Sequence, residues 1–192
     1  MKKVGVLALQ GDFEAHQKAL DRAGAEAIEV RTAAELEGVD GLVIPGGEST
    51  TMLKLLREEK LFEPLRRFGE RRPIFGTCAG TILLATEVSH PTQESLGLMD
   101  ISVERNGYGR QLDSHVAVGC PEDEFLRRTG EGDLEMVFIR APVIRRAGGD
   151  VKVLVEHRGA AVLVEQGRHL AATFHPELGA DERVHRLFLA KL

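Results

Sequence analysis

Cys78 lies in a segment whose neighbours predict a nucleophilic cysteine. The short apolar run Pro73–Phe75 before it is typical of a buried strand, and the small and apolar residues 79–85 after it are typical of a helix. Gly76 and Gly80 flank the cysteine, as in the G-x-nucleophile-x-G elbow. Such a turn lifts the side chain out of the sheet, and the start of the following helix favours the thiolate. The pattern therefore predicts covalent catalysis by Cys78.

A candidate base follows another predicted strand near the end of the sequence. His169–Phe174 is largely apolar, and His175-Pro176-Glu177 comes directly after it. Pro176 restricts His175 to extended geometry, in which residues two apart point the same way. A carboxylate beside an imidazole fixes its tautomer and stabilises the imidazolium. We therefore expect Cys78, His175 and Glu177 to act as nucleophile, base and orienting group.

A glycine-rich turn follows the predicted strand Gly41–Ile44. Gly46 and Gly47 allow backbone N–H groups to turn toward a ligand, because glycine tolerates unusual dihedral angles. Ligands of open α/β sheets bind outside the carboxyl ends of the strands, so this turn is expected near the elbow. We predict that the N–H groups of Gly47 and Ala79 form an oxyanion hole. An ordinary turn is the alternative for this loop, and a phosphate loop is disfavoured because no Gly-Lys-Ser/Thr follows.

The order of predicted elements indicates the fold class. Alternating strands and helices predict an α/β fold with a flavodoxin-like, mostly parallel sheet flanked by helices. After about residue 97, short turns between strands predict extra, partly antiparallel strands, some of them in a side sheet. Without repeats or linkers, residues 1–192 are expected to form one domain. The predicted strands are Val4–Leu9, Ala27–Val30, Gly41–Ile44, Pro73–Phe75, Ile101–Glu104, Asp113–Val118, Met136–Arg140, Val151–Glu156, Ala160–Glu165 and His169–Phe174, and the predicted helices are Phe13–Ala23, Thr50–Glu59, Phe62–Gly69 and Asp181–Leu192.

Composition and charge argue against several other classes of protein. Hydrophobic residues make up 43% and charged residues 29% of the sequence, as in ordinary globular proteins. The net charge of −5 argues against nucleic-acid binding. Two cysteines do not form a disulfide framework, which favours a cytoplasmic location. No apolar run approaches the roughly 20 residues of a membrane span, and the first apolar run lacks a cleavage site.

The histidines outside the predicted triad are assigned no catalytic role. His16 lies in the first predicted helix, where a position at the surface or at a partner contact is expected. The others are scattered and lack metal-ligand spacing, so we expect no metal and no other cofactor. They are His90, His115, His157, His169 and His185.

Longer strings around these positions resemble a known family. Gly-Thr-Cys-Ala-Gly at 76–80, Pro-Gly-Gly-Glu-Ser at 45–49 and His-Pro-Glu at 175–177 resemble class I, triad-type glutamine amidotransferases. Further strings are similar to the glutaminase subunits of pyridoxal 5′-phosphate synthase, and the resemblance covers essentially the whole sequence. These strings are Leu9-Gln10-Gly11 with His16, Pro45–Met52, Glu104–Gln111 and Phe138–Pro142.

The resemblance implies a substrate, a partner and further site residues. It implies hydrolysis of L-glutamine to L-glutamate and ammonia through a thioester on Cys78. The ammonia would pass to a separate TIM-barrel synthase subunit that makes pyridoxal 5′-phosphate (vitamin B6). Gln10 would help to complete the oxyanion hole. The implied glutamine-binding residues are Gly47, Glu48, Ser49, Arg105, Ile139 and Arg140.

The chemistry of some implied residues is consistent with these roles. An arginine suits the substrate α-carboxylate, and Glu48 suits its ammonium group. Which of Arg105 and Arg140 contacts which group is left open.

Three other interpretations remain open from the sequence. A different cysteine hydrolase on a similar sheet, of the peptidase or deglycase kind, would share the elbow but not the neighbouring loops. A histidine-pathway glutaminase would also dock on a TIM barrel, but Glu-Ser-Thr-Thr at 48–51 and Arg-Asn-Gly-Tyr-Gly-Arg at 105–110 argue against it. A regulatory binding module with an inactive site is disfavoured by the intact triad.

Overall fold

The computed structural model describes residues 1–107 and 114–192. Within these ranges, strands and helices alternate along the first half of the chain, and strands predominate in the second half. The strands are β1 (Lys3–Leu7), β2 (Glu26–Val30), β3 (Gly41–Ile44), β4 (Ile74–Thr77), β5 (Ala85–Ser89), β6 (Met99–Glu104), β7 (His115–Pro121), β8 (Leu134–Phe138), β9 (Val143–Ala147), β10 (Lys152–His157), β11 (Ala160–Gln166) and β12 (His169–Ala172). The α-helices are α1 (Phe13–Arg22), α2 (Ala33–Glu37), α3 (Ser49–Glu58), α4 (Phe62–Arg71), α5 (Ala79–Leu84), α6 (Asp123–Thr129) and α7 (Arg183–Leu189), and a 3₁₀ helix spans Pro176–Leu178.

The described strands form a large sheet in the order β2-β1-β3-β4-β12-β11-β10-β7-β8. The first five strands of this order pair in parallel. The remaining strands extend the same sheet through antiparallel pairs. The parallel part has the flavodoxin-like order, in which the chain reverses direction across the sheet next to β1. The predicted α/β fold is confirmed.

A second, smaller sheet contains β5, β6 and β9. β5 pairs in parallel with β6, and β9 pairs antiparallel with β6. The side sheet expected from the sequence is therefore present, but most of the antiparallel strands join the main sheet.

Apolar residues on both faces of the main sheet build two cores. Along β3, Leu42 and Ile44 pack into one core and Val43 into the other, because successive strand side chains point to opposite faces. Buried residues of α2, α3, α4 and α5 cover the first face. Those of α1, α6 and α7 cover the second face. Burial on both faces explains why the parallel strands are nearly continuous apolar runs.

Several element boundaries differ from the predictions. The predicted strand Met136–Arg140 ends at Phe138, since the backbone of Arg140 has a φ of 43° and leaves the strand. The strand before the candidate base ends at Ala172 rather than Phe174. The predicted strand 113–118 begins outside the described residues, and the observed β7 is His115–Pro121. Four elements were not predicted from the sequence: α2, β5, α6 and β9.

In the part of the chain that the structure describes, no helix combines the length and the apolar character needed to cross a bilayer.

Candidate active site

Gln10, the glycine turn, Cys78 and His175 follow the carboxyl ends of four strands that are neighbours in the sheet. Gln10 follows β1, Gly46 and Gly47 follow β3, Cys78 follows β4, and His175 follows β12. Because these strands are parallel, their carboxyl ends lie at the same edge. The topology therefore brings together residues that are far apart in the sequence, at the place where α/β sheets bind ligands.

Cys78 occupies a strained elbow between β4 and α5. Its φ of 48° and ψ of −104° are unusual for a residue with a side chain. Its backbone N–H donates to the carbonyl oxygen of Ala172 at 2.8 Å, which fixes the turn against β12. A β-carbon at Gly76 would lie 2.6 Å from the Gly80 carbonyl, and one at Gly80 would overlap the Ile44 carbonyl oxygen. Both flanking glycines are thus required by close backbone packing.

His175 and Glu177 form a buried hydrogen bond beside Cys78, the predicted nucleophile. His175 Nδ1 lies 2.7 Å from Glu177 Oε1, and 7% and 4% of these residues are exposed. Since Nδ1 is engaged with the carboxylate, Nε2 is the ring nitrogen left for proton exchange with a nucleophile or substrate. The Cys78 sulfur, in turn, lies 3.9 Å from the carbonyl oxygen of Ile139. A β-carbon at Gly46 would overlap His175 Cε1 and lie 3.3 Å from Cys78 Cβ, so Cys78 and His175 are close neighbours. The structure therefore brings the three residues of the predicted triad together.

The surroundings of His175 favour its imidazolium form. Burial acts to lower the pKa of His175, but its interactions with Cys78 and Glu177 outweigh burial and raise this pKa. A protonated imidazole next to a thiolate is the charge state that a cysteine nucleophile requires.

The glycine turn packs tightly against its neighbours. Gly47 has a φ of 153°, and a β-carbon there would lie 2.9 Å from the side-chain nitrogen of Gln10 and overlap its oxygen. The Gln10 side-chain oxygen accepts a hydrogen bond from the Glu48 N–H at 3.0 Å. Gln10 therefore lies against the predicted oxyanion loop, with its amide NH₂ group as the remaining donor.

The Glu48 carboxylate is already occupied by protein groups. It caps α3 by accepting hydrogen bonds from the Thr51 N–H at 2.7 Å and the Thr50 N–H at 3.3 Å. It also pairs with the Arg105 guanidinium at 3.1 Å. Although burial acts to raise the pKa of Glu48, hydrogen bonds from Thr50 and Thr51 lower it to about 2. Glu48 is therefore an anion that positions Arg105.

The other implied substrate residues lie around the same opening. Ser49 Oγ donates to Gln93 Oε1 at 2.9 Å and is buried. Arg140 is exposed, and its positive φ turns the chain just after Ile139. This turn places the Ile139 carbonyl beside the Cys78 sulfur.

A cavity of about 400 Å³ opens over these residues. Its wall contains Cys78 and His175, whereas Ala79 and Glu177 lie behind the wall. The string Tyr108–Gln111 lies outside the described residues. The predicted site residues in the wall are Gln10, Gly47, Glu48, Ser49, Cys78, Arg105, Ile139, Arg140 and His175.

The expectation that His16 lies at the surface is wrong. His16 is fully buried, and its Nε2 atom lies 3.3 Å from Glu177 Oε2. His185, expected to be an isolated histidine, contacts His16 at 3.2 Å. The signal was the helical spacing of His16 with the buried Leu20, which places both on the core-facing side of α1.

Across residues 1–107 and 114–192, no group of three or more His, Cys, Asp or Glu residues has an arrangement suited to a metal ion.

Comparison with solved structures gives the class of protein. A structure described as a glutamine amidotransferase superposes with a TM-score of 0.88 at 49% identity, over 98% of this chain and 97% of that one. The structure of PurLQS from Thermotoga maritima superposes with a TM-score of 0.71 at 17% identity, over 98% of each chain, and shows the fold alone. The fold is that of the class I glutamine amidotransferases.

Sequence comparison gives the family. Residues 6–192 match the SNO glutamine amidotransferase family. The pyridoxal 5′-phosphate synthase subunit PdxT of Solibacter usitatus is 60% identical over 192 residues, which is 100% of both chains. That of Thermus thermophilus is 52% identical over 189 residues, which cover 97% of this chain and 95% of the relative. The chain belongs to the SNO glutamine amidotransferase family, and it is an enzyme that hydrolyses glutamine. The interpretations as a peptidase, a deglycase or an inactive binding module are therefore wrong.

Proposed function

We propose that Cys78, His175 and Glu177 are the catalytic triad by which this enzyme hydrolyses L-glutamine. The observation that carries the proposal is the 2.7 Å contact of His175 with Glu177, next to a cysteine on a strained elbow. A nucleophile, a base and a group that orients the base are the minimum set for acyl transfer through a covalent intermediate.

The reaction proceeds in two halves. The Cys78 thiolate attacks the side-chain amide carbon of glutamine, and a C–S bond forms. His175 donates a proton to the departing nitrogen, so the C–N bond breaks, ammonia leaves and a γ-glutamyl thioester remains. His175 then removes a proton from water, which attacks the thioester and releases glutamate and the thiolate. Glu177 holds the imidazole in position through both halves.

Backbone groups stabilise the negative oxygen of the tetrahedral intermediates. We assign this role to the N–H groups of Gly47 and Ala79, assisted by the NH₂ group of Gln10. The support is positional: Gly47 and Gln10 line the cavity, and Ala79 follows the nucleophile directly. Removing one such donor typically lowers kcat by about 10²–10³-fold, so a Gln10→Ala variant tests the side-chain part of this assignment.

The amino-acid end of glutamine is held at the rim of the cavity. Arg105 suits the α-carboxylate, because its guanidinium is held by Glu48 and only 13% of its side chain is exposed. Arg140, Ile139 and Ser49 complete this binding surface, and Glu48 acts mainly through Arg105.

We further propose that the ammonia is delivered to a TIM-barrel synthase subunit that makes pyridoxal 5′-phosphate. The support is that two relatives are named as pyridoxal 5′-phosphate synthase subunits: one is 60% identical over 100% of its length, and the other is 52% identical over 95% of its length. A location in the reducing cytoplasm is part of the same proposal, and it is supported by the free state of both cysteines.

Glutamate release from L-glutamine by the purified chain, with and without the synthase subunit, tests this function. Cys78→Ala should abolish release under both conditions. Cys120→Ala is the matched control, since this cysteine is exposed and outside the cavity, and it should leave release unchanged. Near-normal release by Cys78→Ala would overturn the assignment of the nucleophile. Equal release with and without the synthase subunit, and no co-purification of the two, would overturn the partner.

A further inference from the structure

His16 lies directly behind the carboxylate of Glu177, on the side away from the cavity. Its Nε2 atom is 3.3 Å from Glu177 Oε2, whereas His175 uses the other oxygen at 2.7 Å. The side chains of His16 and Glu177 are both fully buried. Among the described residues, no group forms a hydrogen bond of regular geometry with Glu177 Oε2, so His16 Nε2 at 3.3 Å is a close polar neighbour of this oxygen. A buried carboxylate oxygen without a donor is costly, so the identity of the group facing it matters.

The contacts of His16 determine its tautomer. Nδ1 lies 3.2 Å from His185 Nε2, and Nε2 also lies 3.0 Å from Thr77 Oγ1. If His16 carried its proton on Nδ1, its bare Nε2 would face the carboxylate, and His185 would carry its proton on a buried Nδ1 atom that has no acceptor. If His16 carries its proton on Nε2, that proton lies on the side of both Thr77 Oγ1 and Glu177 Oε2, and His185 Nε2–H donates to His16 Nδ1. The second arrangement leaves only an acceptor unpaired, which costs less than an unpaired buried donor.

The charge state of His16 fits the same arrangement. Burial, followed by the proximity of His185 and His175, holds the pKa of His16 well below its usual range. Burial, followed by Arg22, lowers the pKa of His185 to about 4. Phe75 covers the imidazole of His16 edge-on, at 6.3 Å between ring centroids. A neutral His16 would therefore act on Glu177 through the dipole of its ring N–H group and not through a positive charge.

We propose that His16 is a positioning residue for the triad: its Nε2–H holds Glu177 Oε2, so that Oε1 stays directed at His175. His185 sets the required tautomer of His16. This inference rests on the proposed role of Glu177 and extends the triad by two buried histidines from α1 and α7. The competing explanation is that both histidines only fill the core.

The two explanations differ in what happens when the donor is lost. Without the Nε2–H group, the carboxylate can rotate, and His175 loses its fixed orientation in the steps that move protons. Substrate contacts lie on the other side of the imidazole and stay intact. In metal sites, removing a group that orients a ligating histidine typically costs about 10–100-fold, and we expect a loss of similar size here. Positioning by His16 therefore predicts a fall in kcat with little change in KM, whereas core filling predicts lower stability alone.

The first test uses the unmodified protein. ¹⁵N-histidine NMR at neutral pH should show His16 as the neutral tautomer with its proton on Nε2. A proton on Nδ1, or a cationic His16, would overturn the proposal without any variant having to fold.

The second test measures glutaminase kinetics of the complex with the synthase subunit. His16→Leu should lower kcat at least about tenfold with KM changed less than about twofold, and His16→Gln should recover much of the loss, because its amide nitrogen can occupy the Nε2 position. Leu20→Ala is the matched control: it is buried one turn further along α1, and it should lower the melting temperature without changing kcat.

Full kcat in a folded His16→Leu variant, with Cys78→Ala and Glu177→Ala impaired, would overturn the role of His16 alone. Activity in Cys78→Ala would instead overturn the triad on which this inference rests.

Discussion

Gly46 lies so close to His175 that the imidazole occupies the space where a side chain at position 46 would begin. A β-carbon there would overlap His175 Cε1 and lie 3.2 Å from Nδ1 and 3.3 Å from the β-carbon of Cys78. The glycine turn thus sets the position of the base as well as the proposed oxyanion hole.

Gly46→Ala should therefore inactivate the enzyme without unfolding it. The imidazole can give way by rotating, and a displacement of about 1 Å in a catalytic group can cost about 10²-fold in rate. We expect a loss of kcat of this size in the glutaminase assay. Gly149→Ala, where no atom lies within 4 Å of the added carbon, should retain full activity. Normal kcat in Gly46→Ala would show that the turn does not set the position of His175.

Glu177→Gln should lower the pKa of His175. Burial acts to lower this pKa, whereas Cys78 and Glu177 raise it to about 10. The neutral amide supports the imidazolium less well, so the ¹⁵N resonances of His175 should titrate at a lower pH in the variant. An unchanged titration would mean that Cys78 alone holds the imidazolium.

The same substitution should alter how the free energy of unfolding depends on pH. Because the pKa of His175 is raised in the folded state, its contribution to the free energy of unfolding is fully present below the unfolded pKa of about 6.5. It is lost as the pH rises through the folded value of about 10. The unfolding free energy should therefore fall between about pH 6 and about pH 9, and this fall should be smaller when Gln replaces Glu177. Urea titration at the two pH values measures the difference.

Gly80→Ala should destabilise the protein, in contrast to the change at Gly46. The added carbon would overlap the backbone carbonyl oxygen of Ile44, and a strand backbone cannot rotate away. Overpacking a close contact costs about 1–3 kcal/mol, so the midpoint of chemical denaturation should fall clearly. A variant with the original midpoint would indicate that the elbow is less tightly packed than the structure shows.

Glu48 and Arg105 provide a matched pair of substitutions. Glu48→Ala removes the cap of α3 and the partner of Arg105, so we expect a loss of about 1 kcal/mol in unfolding free energy and a higher KM for glutamine. Arg105→Ala should raise KM without removing the cap. Steady-state kinetics and denaturant titration of both variants separate the two effects. An unchanged KM in Arg105→Ala would remove Arg105 from the substrate site.

The parallel part of the sheet could be predicted because strands that are buried on both faces are nearly continuous apolar runs in the sequence. The strand Gly41–Ile44 was predicted with its observed bounds. The proposed nucleophile and base could be selected because each follows such a strand. β5 was missed because Ala85–Ser89 follows α5 with no intervening turn residue. β9 was missed because its arginines resemble a solvent-exposed loop.

The buried position of His16 could be predicted only from its spacing within the helix, not from the chemistry of its side chain. Its chemistry alone suggested the surface, but its spacing from Leu20 indicated the buried side of α1. The polar neighbours of His16 come from β4, the 3₁₀ helix and α7, and no local pattern specifies such long-range contacts.

The position of β12 in the sheet has a consequence for folding of the enzyme during its synthesis on the ribosome. This strand follows β4 and β11 in the sequence, yet it lies between them at the centre of the main sheet. The emerging polypeptide therefore cannot close its central sheet until β12 has been synthesised. Cys78 is translated long before His175, so the thiol stays without its proposed base until then. The proposed catalytic site is assembled in a single late event, when β12 enters the gap between β4 and β11.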